Sequence, residues 1–114
     1  MQEAMIKKAV VITIALFVLS VALPVAAAED GAALFKTKCA ACHGKTGAAD
    51  TPVAKAKNIK DLGSADIQKM TDAELTDMIA NGGKNKTKGH EFKAKGLTDD
   101  QITALVSFIR TLKK

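Results

Sequence analysis

The stretch Cys39-Ala40-Ala41-Cys42-His43 decides how the rest of this 114-residue chain reads. Two cysteines three apart with a histidine directly after them have the C-x-x-C-H spacing of covalent c-type haem attachment. Residues three and four apart on a helix share a face. Cys39 and Cys42 therefore point the same way and can form thioethers with two vinyl groups of one porphyrin. His43, four residues after Cys39, can offer its imidazole to the iron from the same side. The small Ala40 and Ala41 allow close approach of backbone and macrocycle.

Other chemistries fit less well. A redox dithiol of this spacing belongs in a βαβ context, and the chain shows no strand pattern. A structural zinc site uses four Cys or His ligands. The chain holds two cysteines and two histidines, and the second histidine, His90, is far away in sequence.

The sequence divides into an export segment and one small domain. Lys7 and Lys8 precede an apolar run from Ala9 to Val25, broken only by Thr13, Ser20 and Pro24. Ala26-Ala27-Ala28 then supplies an A-x-A cleavage pattern ahead of Glu29-Asp30. This predicts a signal peptide over residues 1–28 and a domain over 29–114. The alternative is an uncleaved anchor, which would tie the protein to a membrane. In the oxidising compartment that export implies, a bare cysteine pair tends toward a disulfide; thioether formation consumes both thiols.

A domain this short has a marginal core and commonly needs a staple or a cofactor. The whole chain has four Phe and neither Trp nor Tyr, so the protein brings few large side chains to its centre, and a buried haem would supply apolar volume. The formal charge is +5, from 17 Lys and Arg against 12 Asp and Glu. Lysines gather between Lys84 and Lys95. An exported chain without arginine clusters or aromatic stacking residues is a poor nucleic-acid binder. A lysine field beside a redox centre suits acidic partner proteins, although each lysine is also an ordinary solvated residue.

The domain reads as all-α. Asp30 caps a first helix expected from about Gly31 to Cys42, with Gly31, Leu34, Phe35, Cys39 and Cys42 on one stripe. Lys45 to Leu62 has no helical period and carries turn residues. Within it, Pro52 can present a backbone carbonyl to the second nitrogen of His43, which would fix the ring, or be a plain turn proline. Ser64 opens a short turn through Lys69. Thr71-Asp72-Ala73-Glu74 is a capping box for a helix with Leu75, Met78 and Ile79 on one face, stopped by Asn81-Gly82-Gly83. Lys84 to Gly96 is too polar and glycine-rich for a core helix. Thr98-Asp99-Asp100-Gln101 is a second capping box. It opens a final helix to about Leu112, with Ile102, Leu105, Val106, Ile109 and Leu112 as its buried stripe and Arg110 near its end.

These residues resemble a known family. Gly31 and Phe35 leading into CAACHG, the Thr71-Asp-Ala-Glu-Leu helix ended by Gly-Gly, and the closing LTDDQITALVSFIRTLKK together are similar to a small class I cytochrome c of the bacterial monohaem type. The resemblance covers essentially the whole domain. It implies three main helices and loops wrapped around one covalently bound haem c, with Gly31 and Phe35 meeting Leu105 and Phe108 where the first and last helices cross. It also implies Pro52 supporting His43.

The chain departs from the pattern at the sixth iron ligand. The family usually places a methionine in the loop before the last helix. Here that loop reads NKTKGHEFKAKGLT, without methionine, though Phe92 keeps an aromatic. His90 would give bis-histidine coordination; Met70, in the irregular segment before the first capping box, is an alternative distal ligand. Met78 shares a face with Leu75 and Ile79 and suits the core. A lysine of the loop, water or an open site completes the possibilities.

The implied function is a one-electron carrier of the periplasm or bacterial cell envelope, not an enzyme, since no nucleophile–base constellation is present. The alternatives are a haem-iron ligand binder or sensor with an open or displaceable distal site, and an assembly subunit whose haem stabilises the fold.

Overall fold

A computed structural model of the protein describes residues 30–114. The expected signal segment over 1–28 lies outside the described residues. Among them there are helices and connecting turns but no strand, as expected of an all-α domain. We label the helices α1 (Gly31–Lys38), α2 (Ala40–His43), α3 (Pro52–Ala56), α4 (Ala65–Gln68), α5 (Asp72–Asn81) and α6 (Asp99–Thr111).

The starts of the three main helices follow their sequence signals. The Asp30 carboxylate accepts the Ala32 N–H at the head of α1. Both capping boxes form in full: Thr71 with Glu74 opens α5, and Thr98 with Gln101 opens α6. Each satisfies two backbone donors that a helix start otherwise leaves to water.

Packing centres on α6. Ile102, Leu105, Val106 and Ile109 form its buried stripe, while Leu112 is only half-buried. Leu34 and Phe35 of α1 and Leu75, Ile79 and Ala80 of α5 pack with it, and Leu62 and Leu97 close the cluster from the connecting segments. At the α1–α6 crossing, a Cβ on Gly31 would stand 2.1 Å from the Ala104 carbonyl oxygen and 3.2 Å from the Phe108 Cβ. Only a residue without a side chain permits that approach. Phe35 meets Phe108 with ring centroids 5.0 Å apart and planes tilted by 45°, a favoured aromatic arrangement. The expected pairing of Gly31 and Phe35 with α6 is present, with the Ala104 backbone opposite the glycine.

Three features differ from the sequence reading. The first helix does not run unbroken to Cys42. Cys39 leaves helical geometry (φ −120°, ψ −33°), although its N–H still bonds the Phe35 carbonyl, and α2 starts afresh after it. The buried stripe therefore does not carry on to Cys42, which is exposed while Cys39 is half-buried. Second, the segment expected to be irregular contains α3. Its N-cap Thr51 accepts the Ala54 N–H, and Pro52 occupies the first turn, where a missing N–H costs nothing. One turn is too short to show a period. Third, Ser64 heads α4 by position, but its hydroxyl is buried without a hydrogen-bond partner.

Side chains near the end of α6 stitch the middle of the chain to it. Gln68 Nε2 donates to the carbonyls of Leu62 (2.8 Å) and Ile109 (2.9 Å). Arg110 donates to the carbonyls of Gln68 (2.8 Å) and Met70 (2.6 Å) and, through Nε and Nη2, to one carboxylate oxygen of Asp72. The guanidinium fork thereby fixes the α4–α5 connection on the last helix. No described helix is long and apolar enough to cross a membrane.

Candidate functional site

The break at Cys39 starts the site. The Cys39 carbonyl accepts from the N–H groups of Cys42 (3.2 Å) and His43 (3.0 Å), so the two cysteines and the histidine are set on one tight turn. Gly44 ends that turn at φ 86°, and its missing Cβ leaves room for the Asp50 carboxylate, which would otherwise stand 2.2 Å away. The chain folds back beneath the turn, where the Ala49 N–H bonds the His43 carbonyl at 2.9 Å. Thr51 completes the support. Its hydroxyl donates to the Cys42 carbonyl at 2.5 Å while accepting the Ala54 N–H.

Cys39 and Cys42 are both free thiols. Burial, reinforced by the neighbouring Cys42, pushes the Cys39 thiol up to about 11. Reactive thiolates have a lowered pKa, and the environment of Cys39 moves its thiol the other way.

The ring opposite His43 is that of His90. Their centroids stand 5.9 Å apart, with 29° between the ring planes. A centroid separation of this size also occurs in ordinary offset ring pairs. An imidazole nitrogen lies about 2 Å from a metal it ligates, so two imidazoles ligating one metal from opposite sides have centroids roughly 6 Å apart. The spacing fits that arrangement. Burial, strengthened for His43 by the facing His90, lowers both imidazole pKa values. The Met78 hydrogen bond works against the shift in His90, and Lys95 adds to it. Both rings are therefore held neutral near pH 7, the state in which a ring nitrogen can ligate a metal.

The two histidines differ in what holds them. His90 Nδ1 lies 3.1 Å from the Met78 carbonyl oxygen. A carbonyl only accepts, so Nδ1 carries the proton and Nε2 keeps its lone pair for a metal. His43 Nδ1 is buried with no hydrogen-bond partner. The carbonyl contact expected from Pro52 is accordingly not formed. Pro52 is an exposed residue in the first turn of α3, and its segment contacts the site through Thr51.

Met70 and Met78 take other positions. Met70 is half-buried against the core, and its carbonyl is held by Arg110. The end of the Met78 side chain lies against Gly83. The loop bearing His90 also brings Phe92 into the site's surroundings, 6.2 Å from the His90 ring, with Lys95 Nζ 5.1 Å from the Phe92 centroid. Among the described residues no group of three or more Cys, His, Asp or Glu side chains could hold a bare metal ion. The site thus consists of two thiols beside one of two facing imidazoles, a donor set that fits a tethered metalloporphyrin.

Sequence reasoning missed Thr51 and the Met78 carbonyl. Thr51 carried a signal, since threonine before proline marks a helix start. A backbone acceptor carries none.

A comparison with protein-family models matches residues 28–113 to the model described as Cytochrome c. Comparisons with curated proteins and with solved structures return no match.

Proposed function

The chain belongs to the cytochrome c family, and from this premise we propose that it is a one-electron carrier of the bacterial cell envelope with a single haem held between His43 and His90. Proteins of this family bind haem c covalently and transfer electrons, and this chain has one C-x-x-C-H sequence to attach it. When bound, the haem supplies the one-electron iron couple.

The facing of His43 and His90 at 5.9 Å carries the proposal. Cys39 and Cys42 tether the group. His43 would hold the group as proximal ligand and His90 as distal ligand, with the His90 Nδ1–H donating to the Met78 carbonyl. Held by two imidazoles, the group would need little rearrangement on gaining or losing an electron. Two imidazoles also hold the potential below that of a methionine–histidine pair, since methionine ligation raises it. Lys84, Lys86 and Lys88 are exposed on the loop that carries His90. They would orient acidic partner proteins and give association a salt-dependent rate. Export, periplasmic residence and cleavage after residue 28 belong to the same proposal, supported by the apolar run and A-x-A pattern of the N-terminal sequence.

Carbon monoxide added to the reduced holoprotein tests this reading. A carrier with two tight ligands keeps its Soret band in place on rapid mixing. A fast shift would reject tight six-coordination and favour a haem-iron ligand binder or sensor.

A further inference from the structure

The distal histidine sits on a polar, glycine-rich loop, yet its ring is held at a defined place. What holds it is the end of α5. The Gly83 N–H bonds the Asp77 carbonyl (3.2 Å), the Gly82 N–H bonds that of Met78 (3.0 Å), the Phe92 N–H that of Ile79 (3.4 Å) and the Lys93 N–H that of Ala80 (3.1 Å). His90 Nδ1–H adds a second bond to the Met78 carbonyl. The last carbonyls of α5, which a helix leaves free, thus serve as the template on which the loop is laid down.

One residue lets the loop turn back onto that template. Gly82 adopts the left-handed region at φ 84°. The Thr87 N–H bonds its carbonyl at 2.9 Å, pulling the loop over it. A Cβ at Gly82 would stand 2.6 Å from the Thr87 nitrogen, 2.8 Å from the Thr87 oxygen and 3.0 Å from the Lys86 carbonyl carbon. All three are backbone atoms, so no side-chain rotation relieves the clash. Three residues after Thr87, the His90 N–H bonds the Thr87 carbonyl at 3.3 Å. Other glycines of the loop differ. Gly89 and Gly96 have φ of 93° and 97° with nothing within 4 Å of the added atom, and at Gly83 the nearest neighbour is the flexible end of Met78.

We infer that Gly82 is the positioning residue of the distal histidine: its left-handed backbone and bare Cα let residues 84–90 fold onto the end of α5, which brings His90 onto the Met78 carbonyl and opposite His43. This rests on the reading of His90 as the distal ligand. It makes ligation depend on a residue eight positions away that never touches the haem iron.

The test uses the full-length holoprotein and compares Gly82→Ala with Gly96→Ala, which carries the same backbone strain in open space, and with His90→Ala. Two quantities are read: the ferric spin state by absorption, and the rate of carbon monoxide binding to the reduced form. Gly82→Ala is expected to gain a high-spin fraction and to bind carbon monoxide about 10- to 100-fold faster, the usual scale of lost outer support for a ligand. Added imidazole restores its low-spin spectrum, as it does for His90→Ala, while Gly96→Ala behaves as wild type. If Gly82→Ala merely melts lower and keeps the wild-type spectrum and rate, Gly82 is structural only and the inference is overturned. If His90→Ala itself leaves the spectrum unchanged, the distal-ligand reading fails and takes this one with it. Should Gly82→Ala not mature, Gly82→Asn replaces it. Asparagine accepts the positive φ but keeps the clash with Thr87, so a wild-type spectrum in that variant also overturns the assignment.

Discussion

The two sides of the site are built by opposite means. On the proximal side, five consecutive residues carry both thiols and His43, and the supports are close in sequence: Gly44, Ala49 and Thr51. On the distal side, the proposed ligand His90, its acceptor at Met78 and the turn at Gly82 are spread over one helix end and a polar loop. The hydrogen bonding is reversed as well. His43, which a covalent tether would fix, has no partner on Nδ1, whereas untethered His90 does. A ligand whose place is set by neighbouring covalent bonds can forgo an outer hydrogen bond. A ligand on a loop needs one to fix its tautomer and its ring.

The strongest way to break this contrast is His90→Ala. The low-spin ferric spectrum is expected to disappear and carbon monoxide to bind the reduced protein rapidly. The haem should stay attached, because the thioethers lie on the other side; intact-mass measurement reads this directly. Loss of the haem mass together with the spectrum would mean that the two sides are not separable. Gly31→Ala acts on the shared scaffold instead. Its new Cβ meets the backbone of Ala104, so α1 must withdraw from α6. The expected destabilisation is about 1–3 kcal/mol, the scale of overpacking a fitted contact, measured by denaturant titration, with the spectrum of the folded protein unchanged. Thr51→Val is smaller and confined to the proximal side. It removes the cap on α3 and the bond to the Cys42 carbonyl, for a loss of about 1 kcal/mol. Carbon monoxide reactivity should remain that of wild type. A change there would show that the proximal turn controls the distal ligand.

What was legible in the sequence follows the same division. The capping boxes and the apolar stripe of α6 from Ile102 to Ile109 are local patterns, and each lies where expected. Gly31 and Phe35 were legible because a four-residue spacing places both on the face that meets α6. The kink at Cys39 was not, since nothing in the residue types marks a change of φ within a helical stripe. The single turn of α3 is shorter than the period needed to see it, although Thr51-Pro52 signals its start. The Arg110 fork read as a charge complementing a helix end, while its main bonds reach back some forty residues to Gln68, Met70 and Asp72. Gly82 was legible as a helix stop, but its close contact with Thr87 arises only once the loop has folded back. Long-range backbone partners leave no mark in a local pattern, and the distal side is made largely of them.

The central claim is that two imidazoles, His43 and His90, face each other across the haem iron. The near-infrared spectrum of the ferric holoprotein tests it most directly. Bis-histidine ligation predicts a low-spin spectrum without the sulfur-to-iron charge-transfer band of methionine ligation; the appearance of that band would contradict the account and put a methionine, with Met70 the first candidate, in place of His90.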